Sequence, residues 1–222
     1  MIFLTRLYIV RHPQAMGNLN RVFQGYSNAE VTEMGEAQLN ALAERFKNID
    51  FDIVYTSPLL RAVKTAKAVN KYHNAKIIEY DGIIEINGGD LEGNPWSYFE
   101  DTYPEKYSEW KNEPHKFVAP NGESMQNVYN RAKESLTDII SKNKGKTIVI
   151  TSHGCTIRNM FCVLKGLHIE QLNNINWVEN TGVSLIEIED NTANFIFEND
   201  LEHLPQDIRP IKRNTKEYDW RK

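Results

Sequence analysis

Two short runs of apolar and β-branched residues, each followed by a histidine, constrain the fold of this chain more than any other feature. The first covers residues 7–10 and leads into Arg11 and His12, and the second covers residues 147–151 and leads to His153. Such runs are typical of strands that are buried on both faces. Open α/β sheets bind ligands at the carboxyl ends of their strands, which share one edge. We therefore expect the two histidines to lie together at that edge.

The rest of the chain alternates between strand and helix patterns. Further strands are predicted at residues 51–55, 76–80, 183–189 and 192–198, and helices from residue 32, over 58–72, over 123–141 and from 155, with a loop at 17–29. The last two strands predict a hairpin through Asp190 and Asn191. The pattern predicts an α/β fold, a three-layer sandwich with a mostly parallel central sheet, helices on both faces and an antiparallel edge strand.

We predict one domain over residues 1–222, because no repeat or low-complexity linker interrupts the chain. Residues 94–121 are rich in aromatic side chains and are interpreted as a lid-like helical excursion. Packing of these side chains against the main body explains them equally well. Residues 199–222 are predicted to form a polar C-terminal tail, with contacts to the body near Leu201 and Leu204.

The charge balance limits the classes of partner. The 26 Lys and Arg residues against 30 Asp and Glu residues leave a net charge of −4, so we expect no nucleic-acid or membrane partner. Cys155 and Cys162 lie on one predicted helix, too far apart for a disulfide, which favours reduced thiols and a cytoplasmic location. No apolar segment has the length of a signal peptide or a membrane span. Homodimerisation is left open.

Two charged residues allow opposite interpretations when each is taken alone. Arg61 follows Ser57 and Pro58, a helix-entry signal, so it lies in a first helical turn, where a cation opposes the helix dipole. Such an arginine is more often solvated, and a bound anion is the alternative. Glu85 stands between isoleucines. It is either a partly buried carboxylate with a raised pKa or, more commonly, an outward-facing residue of a strand.

Taken together, the arginines and histidines predict a cationic pocket. A tetrahedral dianion such as a phosphate monoester fits this pocket, because guanidinium groups and helix N-terminal amides match its oxygens. Gly154 allows a sharp turn into the helix behind His153. A metal ion fits less well, because the arginines repel it and no further ligand stands at ligand spacing to either histidine.

These residues resemble the motifs of the histidine phosphatases, also called the phosphoglycerate mutase-like superfamily, over most of the chain. The matching positions are Arg11-His12 with Asn18; Gln24-Gly25 with Thr32, Gly35 and Gln38; Ser57-Pro58-Leu59 with Arg61, Thr65 and Ala66; Glu85 with Gly89 and Gly93; Gly122-Glu123-Ser124; and Ser152-His153-Gly154 with Arg158. Three positions depart from the pattern: Pro13 replaces the usual glycine, Gln14 a common glutamate and Asn28 an aspartate.

The resemblance implies a division of labour within the pocket. His12 would be the nucleophile, transiently phosphorylated on a ring nitrogen, and Glu85 would protonate the leaving oxygen and then activate water. The phosphoryl oxygens would be bound by Arg11, Asn18, Gln24, Arg61, His153 and Gly154. Two arginines and an imidazolium supply the charge stabilisation, so no metal and no cofactor are expected. The partner would be a small phosphorylated metabolite of unknown identity.

Three functions are compatible with these motifs. The spacing from Glu85 to His153 resembles that of the compact phosphatases, whereas the bisphosphate-dependent mutases carry a longer insertion there. A metal-independent phosphatase is therefore favoured over a phosphoglycerate mutase. A non-catalytic module that binds phospho-ligands is the third alternative, and Pro13 is its only support.

Overall fold

A single mixed sheet organises the part of the chain that the computed structural model describes, residues 4–190 and 192–210. Its strands are β1 (Thr5–Arg11), β2 (Ile53–Thr56), β3 (Lys76–Glu79), β4 (Thr147–Ser152), β5 (Val183–Glu189) and β6 (Thr192–Asp200). They lie in the order β3-β2-β4-β1-β5-β6. The first four in that order are parallel, whereas β5 is antiparallel to β1 and β6 is antiparallel to β5. The predicted fold class is confirmed.

The helices connect these strands. They are α1 (Met16–Leu19), α2 (Glu33–Phe46), α3 (Leu60–Val69), α4 (Trp96–Thr102), α5 (Pro104–Asn112), α6 (Met125–Lys142) and α7 (Gly154–Leu164), with single 3-10 turns at Asp81–Ile83, Gly89–Leu91 and Pro114–Lys116 and a longer one at Ile169–Asn174. Side chains cap two of them: Thr32 Oγ1 accepts from the N–H of Gly35 at 3.0 Å, and Ser124 Oγ accepts from the N–H of Asn127 at 3.1 Å. Both caps stabilise the start of their helix, because they accept from N–H groups of the first turn that have no partner within the helix.

Several boundaries differ from the sequence prediction by one to three residues, and two of these differences are close to the site. The segment predicted as a loop at 17–29 begins inside α1. The helix predicted over 58–72 covers only Leu60–Val69, and its N-cap residue is Leu59. Ser57 lies two residues before this N-cap, and its Oγ accepts from the N–H of Leu59 at 3.4 Å as well as making the contact described below.

The strands bury both faces, which explains their uninterrupted apolar character. On β1, Leu7 and Ile9 contact the core formed with α6 and α7. The alternate residues Tyr8 and Val10 contact a second core formed with α2 and α3. Because neighbouring side chains of a strand point to opposite faces, these two cores place a helical layer on each side of the sheet.

The aromatic excursion at 94–121 packs against the main body. Phe99, Trp110 and Phe117 are buried in the core that contains α6. Phe23 contacts Trp110 with ring centroids 5.4 Å apart. This packing explains most of the aromatic side chains, and movement of the excursion as a lid stays a prediction.

The C-terminal tail folds back onto the body in its described part. Leu201 and Leu204 are buried, as predicted. Residues 211–222 lie outside the described residues, as does Asn191, on which the predicted hairpin turn falls. Among the residues that are described, no helix combines the length and the apolar character needed to cross a membrane.

Candidate active site

The carboxyl edge of the parallel strands brings four cationic or titratable side chains together. Arg11 ends β1 and His12 follows it, His153 follows β4, and Arg61 lies in the first turn of α3 after β2. The imidazole rings of His12 and His153 have centroids 5.2 Å apart. All four residues are buried, with at most 5% of their surface exposed.

The backbone and the ring of His12 are both held by hydrogen bonds. Its N–H donates to Ser152 O at 3.0 Å, and its carbonyl accepts from Asn180 Nδ2 at 3.0 Å. Ring atom Nδ1 lies 2.7 Å from the carbonyl oxygen of Pro13. A carbonyl oxygen only accepts, so Nδ1 carries the proton and the neutral ring keeps its lone pair on Nε2. Pro13 lacks an N–H but still supplies this carbonyl.

Arg61 is completely buried, so its interpretation as a solvated residue is wrong. Its guanidinium group donates to Ser27 O at 2.8 Å, to Gly25 O at 2.9 Å and to Nδ1 of His153 at 3.2 Å. Burial lowers the pKa of Arg61 to about 10, with the carboxylate of Glu85 opposing that shift. The group therefore remains a cation at neutral pH.

His153 is a neutral ring, which corrects the expected imidazolium. Because Arg61 Nε donates to Nδ1, the proton of this imidazole is on Nε2, which donates to Ser57 Oγ at 2.7 Å. Burial lowers the pKa of His153 well below its ordinary value, and the positive charge of Arg61 adds to this shift. Positive charge at the site therefore comes from the arginines.

Ser57 is a site residue that the sequence interpretation missed, because the dipeptide Ser-Pro was taken as a helix-entry signal. A signal was available in the strand arrangement. β2 pairs in parallel with β4 and places Thr56 beside Thr151. Residues that follow these two strands therefore meet at the same edge of the sheet, where Ser57 contacts His153.

Glu85 lies in an irregular loop between two 3-10 turns, so its interpretation as an outward strand residue is wrong. Its Oε1 atom accepts from the N–H of Ile86 at 3.0 Å and from the N–H of Thr156 at 3.1 Å. Its Oε2 atom accepts from the N–H of Cys155 at 3.1 Å. The carboxylate therefore occupies the N-terminus of α7 and takes the amides of that first turn that were expected to face a phosphate.

Gly154 remains at the cleft and leaves room beside Arg11. A Cβ atom at position 154 would lie 3.3 Å from Cζ of Arg11 and 3.3 Å from the ring of Trp177. The absence of a side chain therefore lets the guanidinium group of Arg11 lie against the start of α7.

Two amide side chains complete the polar wall. Asn18 Oδ1 accepts from the N–H of Ala15 at 3.0 Å, which leaves the NH₂ group of Asn18 as the donor for a ligand. Gln24 Oε1 is buried without a hydrogen-bond partner. A Cβ atom at Gly17 would lie 2.1 Å from Cγ of Gln24, so glycine is needed there for Gln24 to reach the cleft.

Most of these residues line one cleft of about 670 Å³, part of it open to solvent, whereas His153 and Ser57 are not among its lining residues. Its polar part is formed by Arg11, His12, Asn18, Gln24, Arg61, Glu85 and Gly154, and its outer wall by Arg21, Val22, Phe23, Ile86, Trp96, Trp110 and Trp177. Within the described ranges, no group of three His, Cys, Asp or Glu residues is placed to hold a metal ion.

The chain resembles known proteins in sequence and in fold. The family model of the histidine phosphatase superfamily (branch 1) matches residues 7–201. Phosphoserine phosphatase 1 of Hydrogenobacter thermophilus is 32% identical over 84% of this chain and 88% of its own length. The 2,3-bisphosphoglycerate-dependent phosphoglycerate mutase of Bartonella tribocorum is 29% identical over 81% of this chain and 90% of its own length.

A solved structure extends the comparison to three dimensions. Bacillus stearothermophilus YhfR superimposes with a TM-score of 0.85 and 27% identity, over 90% of this chain and 98% of its own. The family model covers both histidines and the ends of the strands that precede them. The chain therefore belongs to the histidine phosphatase superfamily.

Proposed function

We propose that this chain hydrolyses a small phosphate monoester through a phosphoryl group carried transiently by Nε2 of His12, without a metal ion. The hydrogen bond between Nδ1 of His12 and the carbonyl of Pro13 is the main support, because it leaves the lone pair on Nε2. Arg11 and Arg61 border the same cleft and offer positive charge to the phosphoryl oxygens. The expected enzyme class, a phosphoric monoester hydrolase, is confirmed by relatives named as phosphoserine phosphatases.

In the first step, Nε2 of His12 attacks phosphorus and the bond to the alcohol oxygen breaks. Glu85 enters this step in its acid form, and the leaving oxygen takes the bonding electron pair and the proton of Glu85, so that a neutral alcohol departs. Positive charge that develops on the imidazole ring is stabilised by the Nδ1–H bond to Pro13. The N–H groups of Arg61 that are not used by Gly25, Ser27 and His153 are available for the phosphoryl oxygens.

In the second step, water attacks phosphorus from the side opposite to Nε2. Glu85, now a carboxylate, takes a proton from this water, and the P–N bond breaks with its electron pair returning to Nε2. Inorganic phosphate leaves, His12 regains its lone pair and Glu85 regains the proton that it gave in the first step. The cycle closes without a metal or a cofactor.

The test is to trap phosphate on the protein. The enzyme is mixed with radiolabelled L-phosphoserine, the substrate in the name of the relative from H. thermophilus, and with a panel of other phosphate monoesters, all in EDTA. We expect phosphate release and an acid-labile label on the chain that His12→Ala abolishes and His115→Ala, on the Pro114–Lys116 turn, retains. Labelling of His12→Ala, or turnover that needs added magnesium or zinc, would overturn the proposal.

The mutase alternative is addressed by changing the acceptor. The relative from B. tribocorum makes this comparison necessary. With 3-phosphoglycerate and a bisphosphate primer, we expect free phosphate to form faster than the isomeric phosphoglycerate. Isomerisation that outpaces phosphate release would assign the chain to the mutases, and binding without any turnover would favour the non-catalytic module.

A further inference from the structure

One peptide group links the ring of His12 to a buried glutamine on α2. The Pro13–Gln14 peptide carries the carbonyl that accepts from Nδ1 of His12 at 2.7 Å. The N–H of the same peptide donates to Oε1 of Gln38 at 2.9 Å. A peptide unit is planar, so its C=O and N–H turn together. A side chain that fixes the N–H therefore also fixes the carbonyl that orients the ring.

The amide of Gln38 has only one orientation in this setting. Its Nε2 atom donates to the carbonyl oxygen of Ile208 at 3.0 Å. The N–H of Gln14 only donates and the carbonyl of Ile208 only accepts, so Oε1 must face Gln14 and Nε2 must face Ile208. Gln38 is 1% exposed, which prevents water from replacing either partner. The described part of the C-terminal tail thus sets which way Gln38 points.

The peptide on the other side of Gln14 is fixed separately. The carbonyl of Gln14 accepts from the N–H of Thr32 at 3.1 Å. A Cβ atom at Gly35 would lie 2.1 Å from that oxygen, so α2 begins in direct contact with the loop. The ring of Pro13 restricts only its own φ angle. Rotation of the Pro13–Gln14 peptide about its two flanking bonds is the freedom that remains, and Gln38 removes it.

We propose that Gln38 is a positioning residue that holds the Nδ1–H tautomer and the ring orientation of His12 through the Pro13–Gln14 peptide. This role rests on the proposed function, in which Nε2 of His12 attacks phosphorus. Without Gln38 the carbonyl of Pro13 turns away from Nδ1 of His12, and the proton is shared between Nδ1 and Nε2. For part of the time Nε2 is then protonated and has no lone pair with which to attack phosphorus. Gln38 touches neither the substrate nor the reacting atoms, so its effect falls on the rate of attack and not on binding.

Two substitutions separate the two hydrogen bonds. Gln38→Met keeps the length of the side chain and removes both bonds. Gln38→Glu keeps an acceptor for the N–H of Gln14, and in its ionised form it gives up only the bond to Ile208. Gln126→Met on α6 is the matched control, because Gln126 is exposed and its Nε2 atom donates to Oδ1 of Asn130 one turn further along the same helix.

The first readout is the burst of nitrophenol release from p-nitrophenyl phosphate, which reports attack by His12. We expect Gln38→Met to slow the burst by roughly 10–100-fold, which is the usual cost of a misplaced reacting group, with little change in the substrate Kd obtained from the concentration dependence of the burst rate. Gln38→Glu should stay within about threefold of the unsubstituted enzyme, since it retains the bond to Gln14. Gln126→Met should match the unsubstituted enzyme.

The second readout needs no substrate. Nitrogen-15 spectra of labelled histidine rings, with the His12 signals assigned by His12→Ala, should show protonated Nδ1 and unprotonated Nε2 in the unsubstituted chain. In Gln38→Met both signals should move towards their averaged position, and in Gln38→Glu they should stay. Unchanged ring signals in Gln38→Met, or a burst equally slow in both Gln38 variants, would overturn the positioning role. Moving ring signals in a chain that hydrolyses no phosphate monoester would instead overturn the proposed function alone.

Discussion

Arg61 Nε donates a hydrogen bond to Nδ1 of His153 over 3.2 Å, and this contact fixes the protonation of the second histidine. An arginine always donates from Nε, so His153 must accept there and donate from Nε2 to Ser57. A buried guanidinium group beside the ring also disfavours a second positive charge. Arg61 therefore carries the positive charge of this pair, and His153 is neutral.

The first prediction concerns Ser57. Ser57→Ala removes the acceptor of a completely buried Nε2–H group, so the free energy of unfolding should fall by about 1–3 kcal/mol. Urea denaturation measures this change. Ser141→Ala is the control, because the hydroxyl of Ser141 is exposed on α6 and donates to Asp138 O. Equal effects of the two substitutions would contradict the contact with His153.

The second prediction concerns the geometry of Arg61. Arg61→Lys keeps a positive charge but cannot reach Gly25, Ser27 and His153 at the same time, because lysine lacks the planar fork. We expect kcat/KM to fall by roughly 10²–10³-fold through lost stabilisation of the phosphoryl oxygens. Arg45→Lys is the control. It weakens the ion pair with Asp200 and should lower stability without changing kcat/KM.

The third prediction tests Glu85 through the leaving group. Glu85→Gln should slow phosphorylation of His12 by an alkyl phosphate by roughly 10²–10⁴-fold, because the basic alkoxide needs a proton. An aryl phosphate with an acidic phenol should lose far less in the same burst measurement. The substitution also brings an NH₂ group against the N–H of Cys155, so unfolding must be measured alongside. Equal slowing for both esters would reduce Glu85 to a structural carboxylate.

The fourth prediction concerns pH and stability. Burial lowers the pKa of His203 from 6.5 to about 4, and the charge of Arg45 adds to this shift. Between these values the unfolded chain binds a proton that the folded chain does not, so stability falls as the pH drops from 6.5 towards 4. The contribution of His203 should change by about 1.4 kcal/mol per pH unit in this window. His203→Gln removes it, which leaves a shallower curve of unfolding free energy against pH. Parallel curves for the two proteins would contradict the neutral state of His203.

Much of the fold follows from local pattern. The uninterrupted runs at 7–10 and 147–151 predict buried parallel strands because a strand with helices on both faces has no polar side. Thr32 predicts the start of α2 because its hydroxyl satisfies an N–H group of its own first turn. These inferences use neighbours within a few positions, so one sequence is enough to make them.

The site depends on partners that are distant in the chain. Arg61 has a simple helical position, yet its burial results from carbonyls of Gly25 and Ser27 that no local pattern reveals. Ser57 was interpreted as a helix cap. Its partner, His153, follows a different strand, so no local pattern shows the contact between them. The amides at the start of α7 were expected to face phosphate, and they bind Glu85 instead. Residue types therefore predict which residues lie near the site. The tertiary structure determines which acceptor each hydrogen-bond donor of the site binds.

The position of β1 inside the sheet has a consequence for how the chain refolds. Arg6 pairs with Thr147 on one side, and Thr5 pairs with Ile188 on the other. The strand that leads to His12 therefore gains no backbone partner from its own neighbourhood, and closing such long loops costs entropy before the new contacts compensate for it. Refolding from urea should be slow for the size of the domain, with enzymatic activity returning together with the last ladder hydrogen bonds. Until then β1 presents two bare edges, and we expect it to be one of the segments through which refolding chains aggregate.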